Sequence, residues 1–158
     1  MNLFKKKIKA LYAFANGTSV AIEDVNDEVF STKMMGDGIA IIPEDGTIYA
    51  PCDGTVVMIM EHSLHAIGIV NEDGMELLLH IGLESVDLMG EGFQSHVKKQ
   101  DQVKRGDLLI TYDKGLFQEK GIEDITMLVI AEANGHKPVN YHVNEAMHHK
   151  ESILLEYN

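Results

Sequence analysis

The chain has 158 residues, 45% of them hydrophobic, which is enough apolar side chain for one globular domain with a sizeable core. With 25 acidic against 13 basic residues the formal net charge is -12, which excludes a nucleic-acid surface and suits basic or locally cationic protein partners. The single cysteine, Cys52, excludes an intramolecular disulfide framework and fits a reducing cytoplasm, and no apolar run approaches the roughly 18 residues of a membrane span.

Residues 1–15 open the chain with Lys5, Lys6, Lys7 and Lys9 set between Leu3, Phe4, Ile8, Leu11 and Tyr12. That spacing predicts an N-terminal arm or a short amphipathic helix able to make weak membrane contact. The apolar part is too short for a signal peptide. Residues 16–158 are expected to form the single domain.

From Thr18 onward, short apolar runs alternate with turn residues at Asn16-Gly17, Gly36-Asp37-Gly38, Glu44-Asp45-Gly46, Asp53-Gly54 and Asn71 to Gly74. This is an all-β pattern. Strands are predicted at 18–22, 38–42, 47–49, 54–60, 65–70, 75–81, 108–112, 127–131 and 153–157. Short helical turns are predicted at 25–30, 84–86 and 116–121. Such spacing implies an antiparallel β-sandwich or flattened barrel.

The stretch from Ser63 to Leu83 reads as a hairpin carrying two histidines. A two-residue loop of Glu72 and Asp73 would pair Asn71 with Gly74 and place His65 directly opposite His80. Opposed residues share a face with Cβ atoms about 4.5–5.5 Å apart. The same count puts Ile67, Ile69, Glu76 and Leu78 on the histidine face, and Ala66, Gly68, Val70, Leu77 and Leu79 on the other. With both faces largely apolar, the histidine face is expected to be a patch that a partner covers.

Two further segments have the look of a barrel-sandwich hybrid, or duplicated hybrid motif: Tyr49-Ala-Pro-Cys-Asp-Gly-Thr-Val-Val, and Val97 to Ile110 with its Arg-Gly-Asp-Leu-Leu. Biotinyl and lipoyl carriers, zinc endopeptidases and sugar phosphotransferase IIA domains all use versions of that fold. What chooses among them is Leu77-Leu78-Leu79-His80-Ile81-Gly82-Leu83, followed by Val86-Asp87-Leu88-Met89-Gly90-Glu91-Gly92-Phe93, with His65 upstream. Together with Ile22-Glu23-Asp24-Val25, Gly36 to Ile41, Ala50-Pro51 and Gly106-Asp107, this resembles the glucose-type IIA component of the bacterial phosphoenolpyruvate-dependent sugar phosphotransferase system. Gln100 stands where that family usually has a turn glycine.

The resemblance implies a phosphotransferase component that takes a phosphoryl group from the phosphocarrier HPr and passes it to the cysteine of a IIB domain. It implies no cofactor and no metal. His80 corresponds to the phosphoacceptor and His65 to the residue that stabilises the phosphoryl group. Ser63 and Gly82 are expected to orient the two imidazoles, Gly82 by offering its carbonyl to His80 Nδ1. Asp37 and Glu84 match positions that receive a partner's arginine, and Phe30, Met60, Ile67 and Leu78 would supply the apolar docking surface.

Other readings of the fold fare worse. A zinc endopeptidase needs His-x-x-x-Asp and His-x-His pairs, yet Leu78 stands two residues before His80 and Ile69 four after His65. A biotinyl or lipoyl carrier needs a lysine at a hairpin tip, and Asn71 to Gly74 has none. A non-catalytic regulator whose partners sense the state of His80 is compatible with the relay. His148 and His149, being adjacent, are expected to point apart and not to share an ion.

Overall fold

Runs of β-branched and aliphatic residues bounded by Gly, Asp and Asn fold as strands in the computed structural model, which describes residues 9–158. In chain order these are β1 (Lys9–Tyr12), β2 (Gly17–Ala21), β3 (Gly38–Pro43), β4 (Thr47–Tyr49) and β5 (Gly54–Ile59). The histidine strands β6 (Ala66–Asn71) and β7 (Glu76–Ile81) come next, then β8 (Phe93–Ser95), β9 (Gln102–Val103) and β10 (Leu108–Tyr112). The C-terminal part adds β11 (Thr126–Glu132), β12 (Pro138–Tyr141), β13 (Ala146–Met147) and β14 (Ile153–Tyr157). Among the described residues, helix is confined to α1 (Glu28–Ser31), α2 (Lys114–Lys120) and 3₁₀ turns at Ile22–Asp24 and Ser85–Leu88. Both α-helices begin on an aspartate cap: Asp27 accepts from the Val29 N–H, and Asp113 from that of Leu116.

The strands form an eight-stranded sheet, ordered β13-β2-β3-β11-β7-β6-β5-β9, and two three-stranded sheets, β4-β10-β8 and β1-β14-β12. Every pairing is antiparallel. One face of the large sheet, with Ile39, Ile41, Ile67, Ile69, Leu77 and Leu79, packs on Leu11, Ile48, Leu109, Ile110, Leu154 and Leu155 of the small sheets. The expected all-β sandwich with short helical turns is therefore the fold, and no sheet of the described residues closes into a barrel.

A second, smaller core lies on the opposite face of the large sheet. There Ala40, Met127 and Val129 are covered by Ile22, Val25 and Phe30 from the excursion between β2 and β3. That cover stops at β7. His80, paired with Met127 on one side and Ala66 on the other, sits where it ends.

Two expectations need correction. Residues 1–8 of the predicted arm lie outside the described residues, but Lys9–Tyr12 is strand β1 and not helix. It pairs with β14, and Leu11, Ala13, Phe14 and Ala15 are fully buried, so this segment belongs to the core. The sequence spacing is compatible with either period over so short a run, and the free edge of β14 selects the strand.

The hairpin register is the second. Asn71 pairs with Met75, not Gly74, so the loop has three residues and Ala66, not His65, opposes His80. The reason is local. Asn71 Oδ1 accepts from the N–H groups of both Asp73 and Met75, each at 3.0 Å, and Gly74 takes φ +79°. This is the longer hairpin geometry with a left-handed residue before the second strand. The shift exchanges the partners on each face. Ile67 and Ile69 join Leu77 and Leu79 in the main core, while Gly68 and Val70 face outward beside Leu78 and Glu76.

Candidate active site

A one-residue shift would part the two histidines if both lay in the pleat. His65 does not. It stands one residue before β6, preceded by Leu64 at φ +53°, where the chain from Met60 turns back on itself. That left-handed residue breaks the alternation of side chains, and the His65 ring swings to the His80 side. The ring centroids are 4.8 Å apart with planes at 85°, an edge-to-face contact.

Each ring has one nitrogen fixed. His80 Nδ1 donates to the Gly82 carbonyl at 3.0 Å. A carbonyl only accepts, so the proton is assigned to Nδ1 and the lone pair to Nε2. Gly82 aims its carbonyl from φ +78°, and a Cβ there would lie 2.9 Å from both the Glu123 carbonyl oxygen and the Phe117 ring. Only glycine fits this position. His65 Nδ1 lies 2.6 Å from Ser63 Oγ, and both residues are buried.

Burial disfavours the charged form of both rings. It pushes His80 down from the ordinary imidazole value to about 4, with the neighbouring His65 adding to the fall, while the Gly82 hydrogen bond and Asp27 pull the other way. Burial also lowers His65. At neutral pH the site therefore holds two uncharged imidazoles.

The pair lies in an open cavity of about 450 Å³ with mostly apolar walls. Phe30, Leu78, Met60 and Glu84, expected at a docking surface, all line it. The Phe30 ring lies 5.0 Å from that of His80 and is buried, so it forms the wall. Ile67 is not at this surface. It is fully buried in the main core, because the three-residue loop turned it inward. Asp37 does not line the cavity either; it lies 3.5 Å from Lys33 Nζ and accepts from the Gly38 N–H at 2.9 Å.

Sequence reading missed Asp27, Val29, Met35, Met58 and Val86, which also line the cavity. Met58 had a signal, since it precedes Met60 by two positions on one predicted strand. Asp27, Val29 and Met35 belong to an irregular excursion whose path no periodicity reveals. Elsewhere, His148 and His149 do not point apart as expected: their rings stack at 4.9 Å, with His149 also stacked on Tyr49 at 3.7 Å.

The fold and the site define an all-β protein with two uncharged imidazoles side by side at an open apolar face. Residues 9–135 match the EIIA 1 family of the phosphoenolpyruvate-dependent sugar phosphotransferase system, and the chain belongs to that family. A glucose-specific EIIA component of this system from Halalkalibacterium halodurans is 49% identical over 120 residues, spanning 76% of this chain and 69% of that protein. The glucose permease IIA of Mycoplasma capricolum superposes with a TM-score of 0.86 at 32% identity, over 99% of both chains. The chain is thus a phosphotransferase-system IIA component with no helix, among its described residues, long and apolar enough to cross a membrane.

Proposed function

We propose that His80 carries a phosphoryl group, received from phosphorylated HPr and passed to the cysteine of a IIB domain during sugar uptake. The observation that carries this reading is the fixed tautomer: with Nδ1 held by the Gly82 carbonyl, His80 presents the Nε2 lone pair within the open cavity. A neutral imidazole is a competent nucleophile at pH 7, and burial keeps this one neutral.

The step is an in-line displacement. Nε2 of His80 bonds to phosphorus as the phosphorus–nitrogen bond of the donor breaks, and the donor imidazole leaves with the electron pair. Negative charge spreads over the phosphoryl oxygens. In this reading the Ser63 hydroxyl, 2.6 Å from His65 Nδ1, is assigned as the donor, so that the His65 proton sits on Nε2 and donates to those oxygens. In the second half, the acceptor thiolate attacks and His80 Nε2 regains its lone pair. The apolar walls limit water at the phosphoramidate, and both transfers use the same face.

Docking is served by Met60 and Leu78, with Phe30 as the wall and Glu84 at the rim. Asp37 and Glu84 suit basic side chains of partners, as does a chain of net charge -12. These partners act in the cytoplasm, and no cofactor enters the relay.

The test is incubation with phosphoenolpyruvate, the general phosphotransferase enzyme and HPr, followed by intact mass. A gain of about 80 Da, one phosphoryl group, is expected and is absent from the His80→Ala protein. No gain, or a gain that survives the substitution, overturns the assignment.

A further inference from the structure

The sulfur of this chain is distributed unevenly. Its only thiol, Cys52, is buried, and burial pushes that thiol up to about 12, so it offers almost no thiolate. The reachable sulfur is thioether. Of the described methionines, Met75, Met127 and Met147 are buried in the cores, whereas Met35 and Met60 are 40% and 42% exposed. Met35, Met58 and Met60 line the apolar cavity that holds His65 and His80. Met34 and Met89 are exposed at 75% and 81% but do not line it.

We propose that Met35, Met58 and Met60 are a reversible oxidation site which switches off partner docking while leaving the imidazoles able to react. The chemistry is a two-electron oxidation by hydrogen peroxide. The thioether sulfur attacks the distal peroxide oxygen, the O–O bond breaks, the sulfur becomes a sulfoxide and the remaining oxygen leaves as water. Each event turns a flexible apolar side chain into a polar one, and methionine sulfoxide reductases restore it. Here three such events would place polar oxygens on the walls that a partner's apolar centre must dry. The imidazoles make their fixing bonds to Gly82 and Ser63, not to methionine, so their reactivity is untouched.

This inference rests on the phosphoryl-relay reading, and one experiment separates the two. The full chain is treated with hydrogen peroxide, and oxidised residues are mapped by peptide mass. Phosphorylation is then followed from two donors: phosphorylated HPr, which must dock, and potassium phosphoramidate, which is small enough to need no docking surface. Oxidation is expected to slow the first by roughly tenfold or more and leave the second unchanged, with recovery after methionine sulfoxide reductase. A variant with Met35→Leu, Met58→Leu and Met60→Leu, near in volume, has its own untreated rate measured first and is expected to show the same rate before and after peroxide. Met34→Leu with Met89→Leu is expected to remain sensitive.

Unchanged transfer from HPr once the three residues are oxidised overturns the proposal. So does equal loss with both donors, or undiminished sensitivity in the triple variant. If the untreated protein accepts nothing from HPr, the relay reading fails before peroxide is added, and this proposal fails with it.

Discussion

His65 and His80 meet ring to ring at 4.8 Å although they are not paired across the hairpin; Ala66 is the residue opposite His80. The pair therefore depends on the left-handed Leu64, which lets His65 leave the pleat, and on Ser63, which holds its Nδ1. Replacing His65 with Gln is expected to leave phosphorylation of His80 in place and to slow onward transfer to a IIB domain by about 10²–10³-fold, the usual cost of one lost donor to developing charge. Single-turnover transfer from the isolated phosphoprotein measures this. A normal rate would remove His65 from the mechanism.

Titration of the histidines is expected in a definite order. His142 lies between Glu156 at 2.7 Å and Glu145 at 3.2 Å, and their carboxylates raise it above the ordinary value. His65 and His149 are lowered, chiefly by burial, and His80 falls to about 4. NMR of the ring protons through an acid titration should thus see His142 protonate before His65, His149 and His80. An unphosphorylated His80 titrating near 6.5 would refute the buried-neutral site on which the relay is built.

The same shift has a consequence for stability. His80 binds its proton in the unfolded chain at about 6.5 but in the folded one only near 4, so between those values the unfolded state holds more protons. Stability from this residue is full above pH 6.5 and is lost as pH falls toward 4, by an amount on the order of 3 kcal/mol at most. Urea melts of the natural protein and of His80→Gln at pH 7 and pH 4.5 isolate it. The natural protein should lose more between the two.

Ile67, expected at the docking face, is a core residue in the structure. Ile67→Ala should therefore cost about 2–5 kcal/mol of unfolding free energy, the range for a buried aliphatic truncated to alanine. Met60→Ala, at an exposed wall, should cost much less stability but weaken partner docking. Denaturant unfolding beside a binding titration distinguishes them, and a stability-neutral Ile67→Ala would contradict the register.

Gln100 sits at φ +83° in the turn between β8 and β9, with its N–H donating to the Val56 carbonyl. A side chain in that region costs roughly 1–2 kcal/mol, and glycine avoids it at the expense of a more flexible unfolded chain. Gln100→Gly is expected to gain up to about 1 kcal/mol and to raise the melting temperature by about 2–4 °C. A fall would show that the Gln side chain contributes more than its backbone costs.

Much of this protein is written locally. The turn signals and period-two runs located the histidine strands, and β4, β10 and β14 with their bounds. They did so because strand alternation and turn chemistry act over four to eight residues. The three-residue β4 was found from the turn residues that bracket it, whereas the short strands β8, β9, β12 and β13 escaped: segments of two to four residues carry no periodicity of their own and pair on the edge that a longer neighbour offers. The site motif was legible too: His80, Gly82, His65 and Ser63 lie near one another in the chain, so their proximity needs little tertiary information.

What only the tertiary structure decided is which way the side chains face and what surrounds them. Pairing Asn71 with Met75 and not Gly74 moved Ile67 from the surface to the core, and that choice rests on hydrogen bonds, not hydrophobic pattern. Asn71 Nδ2 is itself tied to the Tyr157 hydroxyl at 3.2 Å, from the far end of the chain. The cavity walls likewise come from Asp27, Val29 and Met35, in an excursion laid over the sheet by the burial of Phe30. Local sequence specified two neighbouring imidazoles; the long-range packing made them neutral, because desolvation is a property of everything that covers a residue and not of the residue itself.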